Sequence, residues 1–250
     1  MYQADLHTHT VASVHAYGTI MENAKAAKEK GLKVIAMTDH GPGIGGPEPY
    51  FFVNLRVIPE ELFGVRVLKS VEANIMDVRG NLDLPPEILG SLDLVVAGFH
   101  NPEILELIPE RRKTGWCTKA MCAAIRDPNV DIIAHPGNPV FPVDIEQVVR
   151  TAAKYGKALE INNNSFIARP LSRGSCGLIA RECAKHGTFV SIASDAHFPF
   201  SIGDVSQAAE IAREAGIKEH QIVNATLENL RAFLEVRAFR LPMISANAAG

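Results

Sequence analysis

Seven short apolar stretches recur along this chain with helical patterns between them, and that alternation constrains the fold more than any other feature. The stretches cover residues 2–6, 34–37, 65–71, 92–97, 131–134, 158–161 and 189–193. Helical spacing is read over 20–30, 118–126, 145–155, 177–186, 205–214 and 227–236. Parallel neighbours in a sheet need a crossover connection, so strands alternating with helices roughly 30 residues apart predict a parallel α/β sheet. Seven such units favour a closed barrel, with an open doubly wound sheet as the competitor. The 250 residues are about the length of one α/β barrel, and a single domain is expected over 1–240. The stretch 241–250, small and weakly patterned, reads as a loosely held tail. Residues 75–84 read as a small hairpin around Arg79-Gly80-Asn81, and 41–50, with four glycines and three prolines, as a mobile loop without regular structure.

Composition excludes several function classes. No apolar run approaches the roughly 20 residues needed to cross a bilayer, and the start Met1-Tyr2-Gln3-Ala4-Asp5 has no basic or apolar leader pattern. Cys117, Cys122, Cys176 and Cys183 lack the close spacing of zinc or redox motifs, and reduced thiols in a cytoplasmic protein are expected. A net charge of −3 argues against a nucleic-acid partner, because phosphate-backbone affinity shows as a basic surplus. Homo-oligomerisation is left open.

The chemistry sits where the apolar stretches end. His7 and His9 follow the first, His40 the second, Glu72 the third, His100 the fourth, His135 the fifth, and Asp195 with His197 the last. Residues two apart on a strand share a face, so His7 and His9 can grip one cation. In a parallel barrel all these ends open on one face, where the active sites of such folds lie. With His15 from the first loop, seven of the nine histidines converge there with two carboxylates. His186 and His220 lie in or beside helices and read as ordinary surface or core residues. Nine ligands exceed the four that one zinc ion accepts, so two or three ions are expected. Imidazole with carboxylate suits zinc first, then manganese or iron, better than magnesium or calcium.

The ordered set His7-Thr-His9, Thr38-Asp39-His40, Glu72-Ala-Asn74, His100, His135-Pro-Gly and Ser194-Asp195-Ala-His197 resembles the PHP (polymerase and histidinol phosphatase) family. Within it the chain is similar to the short stand-alone, YcdX-like phosphatases over roughly residues 2 to 236. The resemblance implies a distorted seven-stranded (β/α)7 barrel like a TIM barrel, a trinuclear metal centre and phosphoester hydrolysis. It implies one ion held by His7, His9, Glu72 and Asp195, a second by bridging Glu72 with His100 and His135, and a third by His15, His40 and His197. The expected reaction is attack of a metal-bound hydroxide on a small phosphomonoester.

Other assignments are open. Asp39 is a candidate proton acceptor or a support for the ligands, with a loop-capping role as the alternative. Arg169 and Arg173, in the loop after the sixth stretch, are candidate phosphate clamps. Asn163 and Asn164, at the one strand end without a ligand, are candidates for orienting substrate. Specificity is expected from the loops 41–57, 101–113 and 165–175. The alternatives in activity are a histidinol-phosphate phosphatase and a PHP-type nuclease or phosphodiesterase; a non-catalytic metal-binding protein is the alternative outside enzymes.

Overall fold

A computed structural model describes residues 2–169 and 171–240. Its elements in chain order are β1 (Ala4–Thr8), α1 (Ile20–Glu29), β2 (Val34–Met37), α2 (Pro49–Asn54), β3 (Glu61–Leu62), β4 (Val65–Asn74) and α3 (Pro86–Ser91). β5 (Leu94–Gly98), α4 (Glu110–Arg126), β6 (Ile132–Ile133), α5 (Ile145–Tyr155) and β7 (Ala158–Asn162) follow. The described chain finishes with α6 (Ser165–Ala168), α7 (Ser172–His186), β8 (Phe189–Ala193), α8 (Ser206–Glu214) and α9 (Leu227–Arg240).

Seven strands pair in parallel in the order β1-β2-β4-β5-β6-β7-β8, and β3 adds one antiparallel ladder to β4. β1, β2, β5, β6 and β7 are buried along their whole length, as strands covered on both faces must be. The ten-residue β4 joins the two halves of the sheet. Its first half, Arg66 to Lys69, pairs with β2, and its second, Ser70 to Asn74, with β5. Leu6, Val34, Ala36, Leu68, Leu94, Val96, Ile132 and Ala158 fill the barrel interior, and Leu230 and Phe233 of α9 pack onto that cluster. A larger core, including Val71, Val95, Ile133, Leu159 and Ile192, lies between the sheet and the helices.

The barrel is nearly closed and distorted at one seam. β8 and β1 share a single parallel bridge, Thr8 to Ala196, with the His9 amide donating to the Ala196 carbonyl at 2.9 Å. Asn224, fully buried, stitches the rest of the gap. Its Nδ2 donates to the carbonyls of Ala4 (2.9 Å) and Ile192 (2.6 Å), and its Oδ1 accepts from the Ile192 amide at 3.0 Å.

The chain therefore forms the expected barrel of seven parallel strands, distorted and nearly closed. Several local expectations need correction. The stretch 41–50 is not free of regular structure: Pro42–Ile44 makes a 3-10 turn, and Pro49 opens α2, where a proline's fixed φ and missing N–H suit the first helical position. The 165–175 stretch holds α6 and the start of α7. α4 begins at Glu110, so Arg111, Arg112 and Lys113 are its first turn and not a loop. Residues 75–84 form only one antiparallel bridge, Ile75 to Leu82, around Gly80 at φ 77°. The expectation for 241–250 lies outside the described residues.

Candidate metal centre

Six of the seven parallel barrel strands deliver ligands at or near their C-terminal ends. His7 lies near the end of β1, in the stretch between Asp5 and Thr8 where the ladder to β2 is interrupted. The ends of β1 and β2 are clasped by Thr38, whose Oγ1 accepts from the Thr8 amide and donates to the Thr8 carbonyl, both at 3.0 Å. His40 continues β2 far enough to bridge to Glu72 in β4. His100 and His135 come two residues after β5 and β6, and Asp195 and His197 two and four after β8. His135 (φ 31°) and Asp195 (φ 52°) both adopt the left-handed backbone, a conformation that non-glycine residues hold only when their surroundings enforce it.

Glu72 stands at the middle. Its Oε1 lies 2.9 Å from His100 Nε2 and 3.0 Å from His135 Nε2, and its Oε2 lies 2.9 Å from His40 Nδ1 and 3.2 Å from His7 Nε2. Asp195 Oδ1 is 3.2 Å from His9 Nε2 and 3.6 Å from His7 Nε2. The His15 ring stacks on His40 and His197, with centroids 5.0 and 4.8 Å away. All nine anticipated ligands thus come together. His7, His9, His40, Glu72, His135 and Asp195 are buried, while His15 is exposed at the mouth.

The donor set fits divalent cations on its own geometry. Buried His40 Nδ1, His100 Nδ1 and Glu72 Oε2 have no aligned hydrogen-bond partner, although such atoms are normally satisfied. Nitrogen faces nitrogen at 3.1 Å between His7 and His9 and at 3.2 Å between His100 and His135, an arrangement that a shared cation suits. Three overlapping groups place their ligand atoms within 4.8 Å of one another: His7 with His9 and Asp195, His40 with Glu72 and His100, and His9 with His40 and His197. Because His9 and His40 each appear twice, these distances do not alone divide the ligands among ions.

Electrostatics divides the histidines. Burial pushes His9 down to about 3, against the pull of Asp195, so it is a neutral lone-pair donor. Burial also disfavours charge on His7, but Glu160, Glu72 and Asp195 together outweigh it and raise its pKa well above the ordinary value. Burial opposes charge on Glu72 too, yet His100, His7 and His40 hold it well below the usual carboxylate range. Asp195 is held low against burial in the same way by His7 and His9.

A second layer of residues orients the first, and most of it is not apparent from sequence. Glu160, buried in β7, accepts at 2.7 Å from His7 Nδ1 and, through its other oxygen, from the His135 amide at 2.7 Å. Asn162 donates to Glu160 (3.0 Å) and to Asp195 Oδ2 (3.1 Å). The signal was an acid in the middle of a fully buried apolar strand, a placement that a charged residue takes only with a partner. Asp5 accepts from Ser194 Oγ at 2.5 Å and from the Gly203 amide at 2.9 Å, joining β1 to the chain after β8. Asp39 is tied up by Thr10 N and Oγ1, both at 2.7 Å, and by Ser13 Oγ at 2.6 Å, which also contacts His9 Nδ1 at 2.9 Å. Its carboxylate caps the first loop and steadies His9 through Ser13.

The tentative substrate residues separate into two pairs. Asn163 is committed to α8, its Oδ1 accepting from the Gln207 and Ala208 amides at 3.0 and 3.1 Å. Arg173 is on α7, not in a loop, and reaches Gln207 and Glu210 of α8 at 3.3 Å each. Both side chains fasten α8 to the strand end and to α7. Asn164 opens α6, and half-buried Arg169 donates to Ser165 Oγ at 2.8 Å.

The chain is similar to known proteins. The PHP domain model matches residues 5–76, from β1 through Glu72. A probable phosphatase of Caldanaerobacter subterraneus subsp. tengcongensis is 45% identical over 239 residues, 95% of this chain and 92% of that protein. The chain belongs to the PHP family. A probable phosphatase of Citrobacter koseri is 42% identical, covering 95% of this chain and 96% of its own. Among solved structures, the PHP fold is shared with histidinol phosphate phosphatase of Lactococcus lactis in complex with zinc, L-histidinol and phosphate. That match has a TM-score of 0.65 at 18% identity and covers 87% of this chain and 95% of the other. No described helix is long and apolar enough to cross a membrane.

Proposed function

We propose that this protein is a metal-dependent phosphatase acting on a small phosphomonoester, with three divalent ions, zinc first and manganese or iron as alternatives. The observation that carries it is the Glu72 carboxylate set between two banks of imidazole nitrogens, with Oε2 lacking any aligned donor. Full-length relatives named as probable phosphatases support the reaction, and the zinc and phosphate in the structurally similar histidinol phosphate phosphatase support the metal and the ligand class. One ion is assigned to His7, His9, Glu72 and Asp195, the second to Glu72, His100 and His135, and the third to His15, His40 and His197. Ions held there would supply a water of lowered pKa as nucleophile and a counter-charge for the phosphoryl oxygens.

The chain's own residues do the rest. Glu72 and Asp195 stay ionised on either side of the His7 and His9 nitrogens, while neutral His9 presents a lone pair. Asp39 keeps the first loop and His9 in place by accepting from Thr10 and Ser13. Arg169 and Asn164 remain the residues proposed to meet the substrate, on the short α6 segment after the strand end without a ligand. The four cysteines, buried and unpaired, accord with a reducing cytoplasm, which we propose as the compartment.

The test is elemental analysis and a phosphate-release panel on one preparation. Two or three metal equivalents with turnover of an aryl phosphate are expected; metal-replete protein inert across the panel would sink the proposal. Histidinol phosphate belongs in the panel, because the solved relative of similar fold binds histidinol and phosphate. Preferential turnover of it would move the assignment to that substrate, and cleavage of single-stranded DNA would move it to the nuclease reading.

A further inference from the structure

Glu160 is 2% exposed, lies on β7, one strand beyond β8 from β1, and is not among the nine ligands. One oxygen, Oε1, meets a single partner, His7 Nδ1 at 2.7 Å. The other, Oε2, accepts two donors, the His135 amide at 2.7 Å and Asn162 Nδ2 at 3.0 Å. His7 turns its opposite nitrogen, Nε2, toward Glu72 and Asp195.

We propose that Glu160 is a positioning residue for metal binding, one that holds the proton of His7 on Nδ1 and so keeps the Nε2 lone pair aimed at the centre. A carboxylate is acceptor-only, so the ring nitrogen facing it must carry hydrogen. The same carboxylate grips the backbone of His135, which stands at a positive φ and is assigned to a different ion. Glu160 therefore sets the ring of one ligand and the main chain of another, and Asn162 extends the tie to Asp195. The inference rests on the metal reading above.

The asymmetry between the two oxygens makes a sharp variant. In Glu160→Gln the side chain keeps its size, but only one end can accept. Two donors converge on the Oε2 position and one on Oε1, so the amide oxygen takes the two-donor side and the amide NH2 faces His7 Nδ1. His7 must then accept on Nδ1, which moves its proton to Nε2, where it blocks the cation. The His135 amide keeps its partner, so the damage is confined to the ion that His7 holds.

Zinc titration of the full chain against a chromophoric chelator, with circular dichroism and melting of the metal-free protein, tests this. Glu160→Gln should fold and keep its metal-free melting temperature, yet bind one zinc equivalent about 10- to 100-fold more weakly than wild type, the usual effect of losing an outer partner of a ligand. A purely structural role would instead lower the metal-free melting temperature without singling out one equivalent. Wild-type zinc stoichiometry and affinity in Glu160→Gln would overturn the inference while leaving the metal reading intact. A wild-type protein that binds no zinc would overturn both. Should the variant fail to fold, a crystal structure of zinc-loaded wild type decides: the Glu160 carboxylate within hydrogen-bond distance of His7 Nδ1 supports the role, and a carboxylate turned away from it ends it.

Discussion

The two ends of the barrel both bury charged side chains, and they treat them in opposite ways. At the N-terminal end Lys157, 1% exposed, points its ammonium at the carbonyls of Asp127 (2.8 Å), Pro128 (3.4 Å) and Val130. Arg237 of α9, 4% exposed, donates to Asp131, to the Asn129 carbonyl at 2.6 Å, and to the carbonyls of Leu89 and Leu92 at 2.8 and 3.1 Å. Asp131 in turn accepts from the Val95 amide at 2.9 Å. At the C-terminal end, by contrast, Glu72 and its ring of histidines leave Glu72 Oε2, His40 Nδ1 and His100 Nδ1 without aligned partners. Buried charge with its donors aimed at acceptors closes a fold, whereas a buried cluster of lone-pair donors with unaligned atoms suits a cation. The difference teaches that burial and charge alone do not mark a functional site; the state of the hydrogen-bond partners does.

Exchanging effects between the ends is the strongest way to break this comparison. Glu72→Ala should abolish phosphate release and cost metal affinity by more than the roughly 10- to 100-fold typical of outer partners, while the barrel stays folded. Turnover assays and metal content check it. Arg237→Met should do the reverse. It removes one side of the buried Arg237–Asp131 ion pair together with the donors to the Asn129, Leu89 and Leu92 carbonyls, and should cost about 3–5 kcal/mol of stability in denaturant unfolding, with activity per folded molecule unchanged. Equal loss of activity in both variants would mean that the ends are not functionally separate.

A smaller effect sharpens the same contrast. A ligand that binds only the folded state stabilises it, by about 2.7 kcal/mol at a hundredfold excess over its dissociation constant. Zinc should therefore raise the melting temperature of wild type and of Arg237→Met alike, but much less that of Glu72→Ala. Calorimetry with and without zinc reads this directly.

Much of this was legible in the chain because the site is periodic. Each ligand follows an apolar strand, so reading strand ends collects His7, His9, His40, Glu72, His100, His135, Asp195 and His197 without any knowledge of contacts. Glu160 was not legible in that way, because its role depends on His7, a residue 153 positions away in the chain. Asp5 and Asn162 escaped for a related reason: Ser194 reaches Asp5 only through closure of the seam, and Asp195 reaches Asn162 only through the pairing of β7 with β8. The first half of α4 was hidden by polarity. Arg111, Arg112, Thr114 and Gly115 are solvent-exposed and give no apolar stripe, although they are helical. Asn163 and Arg173 follow the one strand whose end carries no ligand, but α8, which they fasten, is a tertiary neighbour that local pattern does not reveal.

The seam tests whether closure and chemistry are linked. β1 and the residue after it contribute His7 and His9, the chain after β8 contributes Asp195, and the Thr8–Ala196 bridge, the Asp5–Ser194 hydrogen bonds and the Asn224 side chain span the gap. Asn224→Ala removes both carbonyl contacts and orphans the Ile192 amide in a buried place, which should cost about 1–3 kcal/mol. If the seam sets the spacing of His9 and Asp195, 3.2 Å apart, the variant should also weaken zinc binding. Arg237→Met, which loosens the opposite end by more, should leave zinc binding as it is. Measured together, the two variants separate general loss of stability from loss of geometry: weaker zinc binding in Asn224→Ala alone assigns the seam a part in the site, and equal weakening in both removes that assignment.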